Sequence, residues 1–120
     1  MARQKQFRFE EIRYRENVLT EEKPILDDIK GKWRSVFFKN ENPIVLELGC
    51  GKGEYTVGLA ARFPEKNFVG VDVKGDRLWV GSTWAIEQNL KNAVFLRVQI
   101  QQLESYFAPE EVDEIWVTFP

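Results

Sequence analysis

From residue 44 onward, short apolar runs alternate with segments of helical period, and this alternation constrains the fold more than any other feature of the chain. Ile44–Leu48 (IVLEL), Asn67–Asp72 (NFVGVD), Ala93–Val98 and Asp113–Phe119 (DEIWVTF) read as strands. Between them, Gly53–Phe63 puts Thr56, Leu59, Ala60 and Phe63 on one helical face, and Lys74–Leu90 aligns Trp79, Thr83, Ile86 and Leu90. Gln101–Phe107 predicts a short helix before the last strand. Strands and helices alternating in units of roughly 25 to 30 residues imply parallel βαβ crossovers. The predicted fold class is therefore α/β, a Rossmann-like doubly wound sheet of order 3-2-1-4, with the fourth strand as an exposed apolar edge. Such sheets usually continue for one to three more strands, so this chain is expected to be part of a longer protein.

Residues 1–39 are expected to form a basic arm and helix packed on the core, which spans residues 40–120. Across residues 21–38, Ile25, Ile29, Trp33, Val36 and Phe37 make one helical stripe, weakened by Gly31. Residues 1–39 hold ten Lys and Arg against seven Asp and Glu, while residues 40–120 hold seven against twelve. The overall charge of −2 conceals this asymmetry. The basic excess lies in Arg3, Lys5, Arg8, Arg13 and Arg15, interleaved with Phe7, Phe9 and Tyr14. Such an arm can touch phosphates, with its aromatics stacked on bases or anchored on the body, or it can be a solvated chain end.

With 43% hydrophobic and 30% charged residues, the chain has the balance of a folded globular protein. No apolar run reaches the roughly 18 to 20 residues of a membrane span, and MARQKQFRFEE has charges where a signal peptide needs an apolar stretch. No membrane association is expected, and the expected location is the cytoplasm. Cys50 is the one cysteine and histidine is absent, which excludes the usual Cys/His zinc sites, histidine bases and Ser-His or Cys-His nucleophiles. No metal is expected.

Chemistry concentrates in Glu47-Leu48-Gly49-Cys50-Gly51-Lys52-Gly53-Glu54, which leaves the first strand and opens the first helix. Glycines on alternate positions let the backbone approach a ligand and leave N–H groups free to bind it. Gly53 follows Lys52 where a Walker A loop needs Ser or Thr, and Glu54 stands where a dinucleotide loop needs its third glycine. Glu47 just before the loop suits a ligand with positive charge, such as the ammonium and sulfonium of S-adenosylmethionine, better than a pyrophosphate. A plain βα turn is the alternative. Asp72 ends the second strand, 23 positions after Gly49, where a carboxylate accepts from ribose hydroxyls or else caps the following helix. Gln99 and Ile100 follow the third strand, where a side-chain amide and a backbone N–H can reach an adenine; an exposed strand end accounts for Gln99 equally well.

The runs VLELGCGKGEYT, FVGVDVKGDRL, NLKNAVFLRVQIQQL and DEIWVTFP resemble the bacterial tRNA (guanine-N7-)-methyltransferases, class I S-adenosylmethionine-dependent enzymes that methylate a guanosine in the tRNA variable loop. The resemblance covers residues 40–120 and, more loosely, the basic arm. It implies S-adenosylmethionine as cofactor and tRNA as partner. By position, Glu47 would lie at the methionine moiety, Gly49, Cys50, Gly51 and Gly53 in the cofactor loop, Asp72 at the ribose, and Gln99 and Ile100 beside the adenine. The family usually carries an acidic residue or Asn where Gln99 stands. Arg3, Arg8 and Pro120 are the candidate substrate contacts. The family's aspartate follows the FP pair, so the catalytic residue is expected directly after Pro120 and none within this chain. The 120 residues alone are accordingly expected to be inactive. Guanine N7 already has a lone pair, so positioning rather than a strong base supplies the acceleration, and a chain without histidine fits that chemistry. A class I methyltransferase with another substrate and an inactive cofactor- or RNA-binding module are the alternatives; Glu47 and Glu54 disfavour a nicotinamide oxidoreductase.

Overall fold

The computed structural model describes residues 2–117. Its centre is an all-parallel sheet of β1 (Val18–Thr20), β2 (Ile44–Leu48), β3 (Asn67–Asp72), β4 (Ala93–Arg97) and β5 (Glu114–Val117), in the order β1-β4-β3-β2-β5. The four predicted strands are β2 to β5 and take the expected 3-2-1-4 order. The addition is β1, which pairs with β4 from Val18 opposite Phe95 to Thr20 opposite Arg97. Three residues are too short for a period of two to register, and β1 forms because Leu19 and Val18 fill opposite faces of the core.

Alternation along the strands sorts the two faces. Ile44 and Leu46 of β2, Val69 and Val71 of β3, and Val94 and Leu96 of β4 share a cluster with Leu26, Ile29, Trp33 and Phe107. Val45, Phe68, Ala93 and Phe95 point the other way, into a cluster with Val57 and Ala60 of α3 (Glu54–Arg62) and Leu78 and Ala85 of α4 (Gly75–Glu87). Both faces are covered where β2, β3 and β4 run side by side, as a parallel sheet requires. At the edge beside β2, Ile115, Trp116 and Val117 of β5 stay exposed.

The amino-terminal segment is a helix, α1 (Ala2–Glu11), followed by a 3₁₀ turn at Ile12–Tyr14. The single helix read over residues 21–38 is broken into two. α2 covers only Ile25–Asp28, and a π-helical turn spans Trp33–Phe38. The break falls at Gly31, which has φ +79°, and a buried carboxylate holds it open: Glu111 accepts from the N–H groups of Gly31 (2.8 Å), Trp33 (3.1 Å) and Ala108 (2.9 Å). A continuous helix would have satisfied two of those donors internally. A long-range bond to Glu111 outweighs the local pattern because it also seats Trp33, which is fully buried, stacks on Phe107 at 4.8 Å and donates its indole N–H to the Tyr106 carbonyl. Val36, on the predicted stripe, remains exposed. Residues 101–107, read as a short helix, form instead a 3₁₀ turn at Ile100–Ser105.

Trp33 thus links the amino-terminal segment to the sheet. Trp33→Ala is expected to lower stability by about 3–5 kcal/mol, measured as the unfolding midpoint in urea.

Candidate functional site

β2, β3 and β4 end on one edge of the sheet, and the glycine loop crosses that edge. Gly49, Gly51 and Gly53 all have positive φ. The loop is tied down by the Cys50 N–H donating to the Val71 carbonyl at 2.9 Å and by the Gly53 N–H donating to the Cys50 carbonyl at 2.9 Å. Gly53 is required twice over. It stands before α3 at φ +82°, and a Cβ there would lie 2.5 Å from the Phe95 ring. On the far side, a Cβ at Gly81 of α4 would lie 2.3 Å from the Lys52 carbonyl. The loop therefore rests directly on helix backbone.

Asp72 fastens the loop to β3. Its Oδ2 accepts from the Gly51 N–H at 2.9 Å, and its Oδ1 from the N–H groups of Val73 (2.7 Å) and Lys74 (3.0 Å). It does not cap α4, whose cap position is Lys74, without a side-chain bond. Glu47 is 5% exposed and lies beside Gly70 in the sheet register. The Thr56 hydroxyl donates to its Oε1 at 2.6 Å. Burial, then the charges of Glu47, Asp72 and Glu54, push the Cys50 thiol well above its usual range. The loop is thus an acidic place with shaped backbone, suited to a cationic group and hostile to a pyrophosphate.

Gln99 and Ile100 are exposed at the start of the 3₁₀ turn, on the rim of the same edge. Gln99 lines a cleft of about 70 Å³ with Glu21, Val73, Arg97 and Val98. Asp72 and the glycine loop are joined by direct bonds, whereas Glu47 is buried toward α3 and Gln99 stands apart. Arg3 is exposed on α1. Arg8 lies over the Trp79 ring at 4.6 Å, and Arg15 lies over it at 4.9 Å while binding the Trp79 carbonyl and the Ser82 and Thr83 hydroxyls. Arg8 is therefore in part an anchor for α1. Pro120 lies outside the described residues. Among the described residues, no group of three or more His, Cys, Asp or Glu side chains gathers to hold a metal, and no helix is long and apolar enough to cross a membrane.

Three participants, Thr56, Arg97 and Phe9, are not among the site residues that the sequence suggests. Thr56 lies on the expected packing stripe, yet a hydroxyl on a buried helical face needs an acceptor, and the structure supplies Glu47. Arg97 donates to the Val73 carbonyl at 3.0 Å and lies over the Phe9 ring at 4.3 Å, bringing α1 to the cleft beside Asp72. No local pattern signals that pairing of Arg97 with Phe9.

Solved structures that superpose on the chain share this architecture. The 30S ribosomal A1408 methyltransferase from an uncultured bacterium matches with a TM-score of 0.63 at 18% identity, over 85% of this chain and 48% of that one. PKMT2 from Rickettsia typhi, solved in complex with AdoHcy, matches with a TM-score of 0.55 at 20% identity, over 82% of this chain and 19% of that one. The fold is the Rossmann-like fold of class I methyltransferases. A family model described as "Putative methyltransferase" matches residues 41–120, and the chain belongs to that methyltransferase family. Among its relatives are tRNA (guanine-N(7)-)-methyltransferases. That of Christiangramia forsetii is 54% identical, over 94% of this chain and 52% of the relative, and that of Cytophaga hutchinsonii is 51% identical, over 100% and 54%. The likeness read from VLELGCGKGEYT and DEIWVTFP is borne out. The chain spans about half the length of these curated relatives.

The contact of α4 with the loop gives a direct test. Gly81→Ala is expected to destabilise the fold by about 1–3 kcal/mol, because the Lys52 carbonyl must move to admit the methyl group. Thermal melting beside Gly58→Ala, at a helix position with open space around it, separates crowding from the loss of glycine itself.

Proposed function

We propose that the full-length protein transfers a methyl group from S-adenosylmethionine to N7 of a guanosine in tRNA, with this chain supplying the cofactor side of the site. The observation that carries the reading is the acidic loop edge: a buried Glu47, an Asp72 bonded to the loop backbone, and glycines that admit a ligand close to the main chain. The names of the relatives support the substrate, and the chemistry of these residues supports the cofactor. Bound there, S-adenosylmethionine would supply an electrophilic methyl group on its sulfonium.

The chain's own residues bind and orient. Glu47 offers negative charge toward the methionine end, and Asp72 accepts from the ribose hydroxyls at an edge already fixed by its bond to Gly51. Gln99 and Ile100 bound the adenine side of the cleft. None of them needs to move a proton, because guanine N7 presents its lone pair without help, and the acceleration comes from alignment. Arg3 and Arg8 on α1 contribute positive charge for the tRNA backbone.

Titration calorimetry on the full-length protein is expected to detect adenosylhomocysteine and to find NAD much weaker. NAD binding tighter than adenosylhomocysteine would overturn the proposal, as would no methyl transfer from labelled S-adenosylmethionine to unmodified tRNA.

Asp72→Ala is expected to weaken adenosylhomocysteine binding by about 1–3 kcal/mol while the protein still folds. Lower thermal stability with unchanged affinity would instead assign Asp72 to the loop alone.

A further inference from the structure

The Thr56 hydroxyl donates to Glu47 Oε1 at 2.6 Å with both residues buried, Thr56 at 1% and Glu47 at 5% exposure. The neighbouring strand is shaped to allow it. Gly70 is the register partner of Glu47 on β3, so a side chain there would point to the same face. A Cβ at Gly70 would lie 2.9 Å from Thr56 Oγ1 and 3.0 Å from Cys50 Sγ. The missing side chain at Gly70 makes the room in which the hydroxyl of α3 meets the carboxylate of β2. Thr56 sits two residues into α3, immediately after the loop, so the bond also sets the angle at which the loop enters the helix.

We propose that Thr56 is a positioning residue that fixes the Glu47 carboxylate for the ammonium group of an amino-acid-bearing adenosyl ligand. The inference rests on the methyltransferase reading and deepens it. A buried carboxylate with a rigid donor holds one orientation, and the orientation of a short-range charge decides how much it contributes to binding a cation. Because the effect runs through the ammonium, it should spare ligands that lack one.

The test compares two ligands on the full-length protein by calorimetry. Adenosylhomocysteine carries the ammonium, and 5′-methylthioadenosine keeps the nucleoside and thioether but not the amino acid. Thr56→Val, nearly equal in shape, is expected to weaken adenosylhomocysteine about tenfold or more and to change 5′-methylthioadenosine by less than about twofold. Thr56→Ser, which keeps the hydroxyl, is expected to restore the difference between the ligands. Equal losses for both ligands, or no loss for either, would assign Thr56 to packing and overturn the inference. Should Thr56→Val fail to fold, Thr56→Ala against Thr56→Ser makes the same comparison, and equal ligand selectivity in that pair overturns it too. A parent protein that binds neither ligand removes the methyltransferase reading and this inference with it, whereas a parent that binds both while the variants do not discriminate removes this inference alone.

Discussion

The ring of Phe95 is the point from which the rest of the structure is positioned. It is fully buried at the centre of β4, and three glycines from three different elements close on it. A Cβ at Gly53, Gly70 or Gly81 would lie 2.5, 3.0 or 2.8 Å from its atoms. Packing this tight leaves α3, β3 and α4 little freedom to slide, because interiors tolerate neither voids nor overlap. The glycine loop is held from beneath by this arrangement, with the Lys52 carbonyl set against Gly81 and the Gly51 N–H given to Asp72. Its shape thus follows from core packing together with the positive φ of its glycines, and a loop already ordered loses less entropy when a ligand arrives.

The amino-terminal segment is part of the same packing. β1 extends the sheet, and the Phe95 N–H donates to the Asn17 carbonyl at 2.8 Å, so this segment is bonded to the backbone of the same residue. Arg15 joins the Trp79 carbonyl, Ser82 and Thr83 of α4 to Glu11 of α1, with Trp79 donating its indole N–H to that same Glu11 carboxylate. Lys23 is placed so that its ammonium donates to the Arg15 and Val18 carbonyls, and burial lowers its pKa. A hydrogen bond to a charged group in partly excluded solvent is worth more than an exposed ion pair, so these contacts outweigh the surface pair Arg13–Glu22.

The strands β2 to β5 were legible because each pairs an apolar run with a turn signal, and their order follows from the rules of parallel crossovers. The loop and Asp72 were legible because glycine spacing and a carboxylate at a strand end are local features. What escaped the sequence is long-range. Nothing near Gly31 announces that Glu111, 80 positions later, will take its N–H and break the predicted helix. β1 is three residues long, and its partner lies across the whole βαβαβ unit. Thr56 looked like one more member of an apolar stripe because periodicity ranks positions by burial and says nothing about which acceptor a buried hydroxyl will find. Pro120, proposed from the resemblance alone, falls outside the described residues.

Charge divides the molecule in a way that bears on the proposed substrate. Glu47, Asp72 and Glu54 add to burial in pushing up the Cys50 thiol, and a field of that sign favours a cation but repels a polyphosphate backbone. A tRNA drawn to the same edge must therefore be held by basic groups elsewhere, within the roughly 8 Å over which charges act at physiological salt. On α1, Arg8 is partly committed to Trp79, while Arg3 and Lys5 are exposed. Arg97 and Phe9 hold this helix against the cleft beside Asp72. In the proposed reading this contact seats α1 beside Arg97, and the exposed Arg3 and Lys5 of the same helix supply positive charge for a phosphate backbone that the acids of the loop would otherwise turn away.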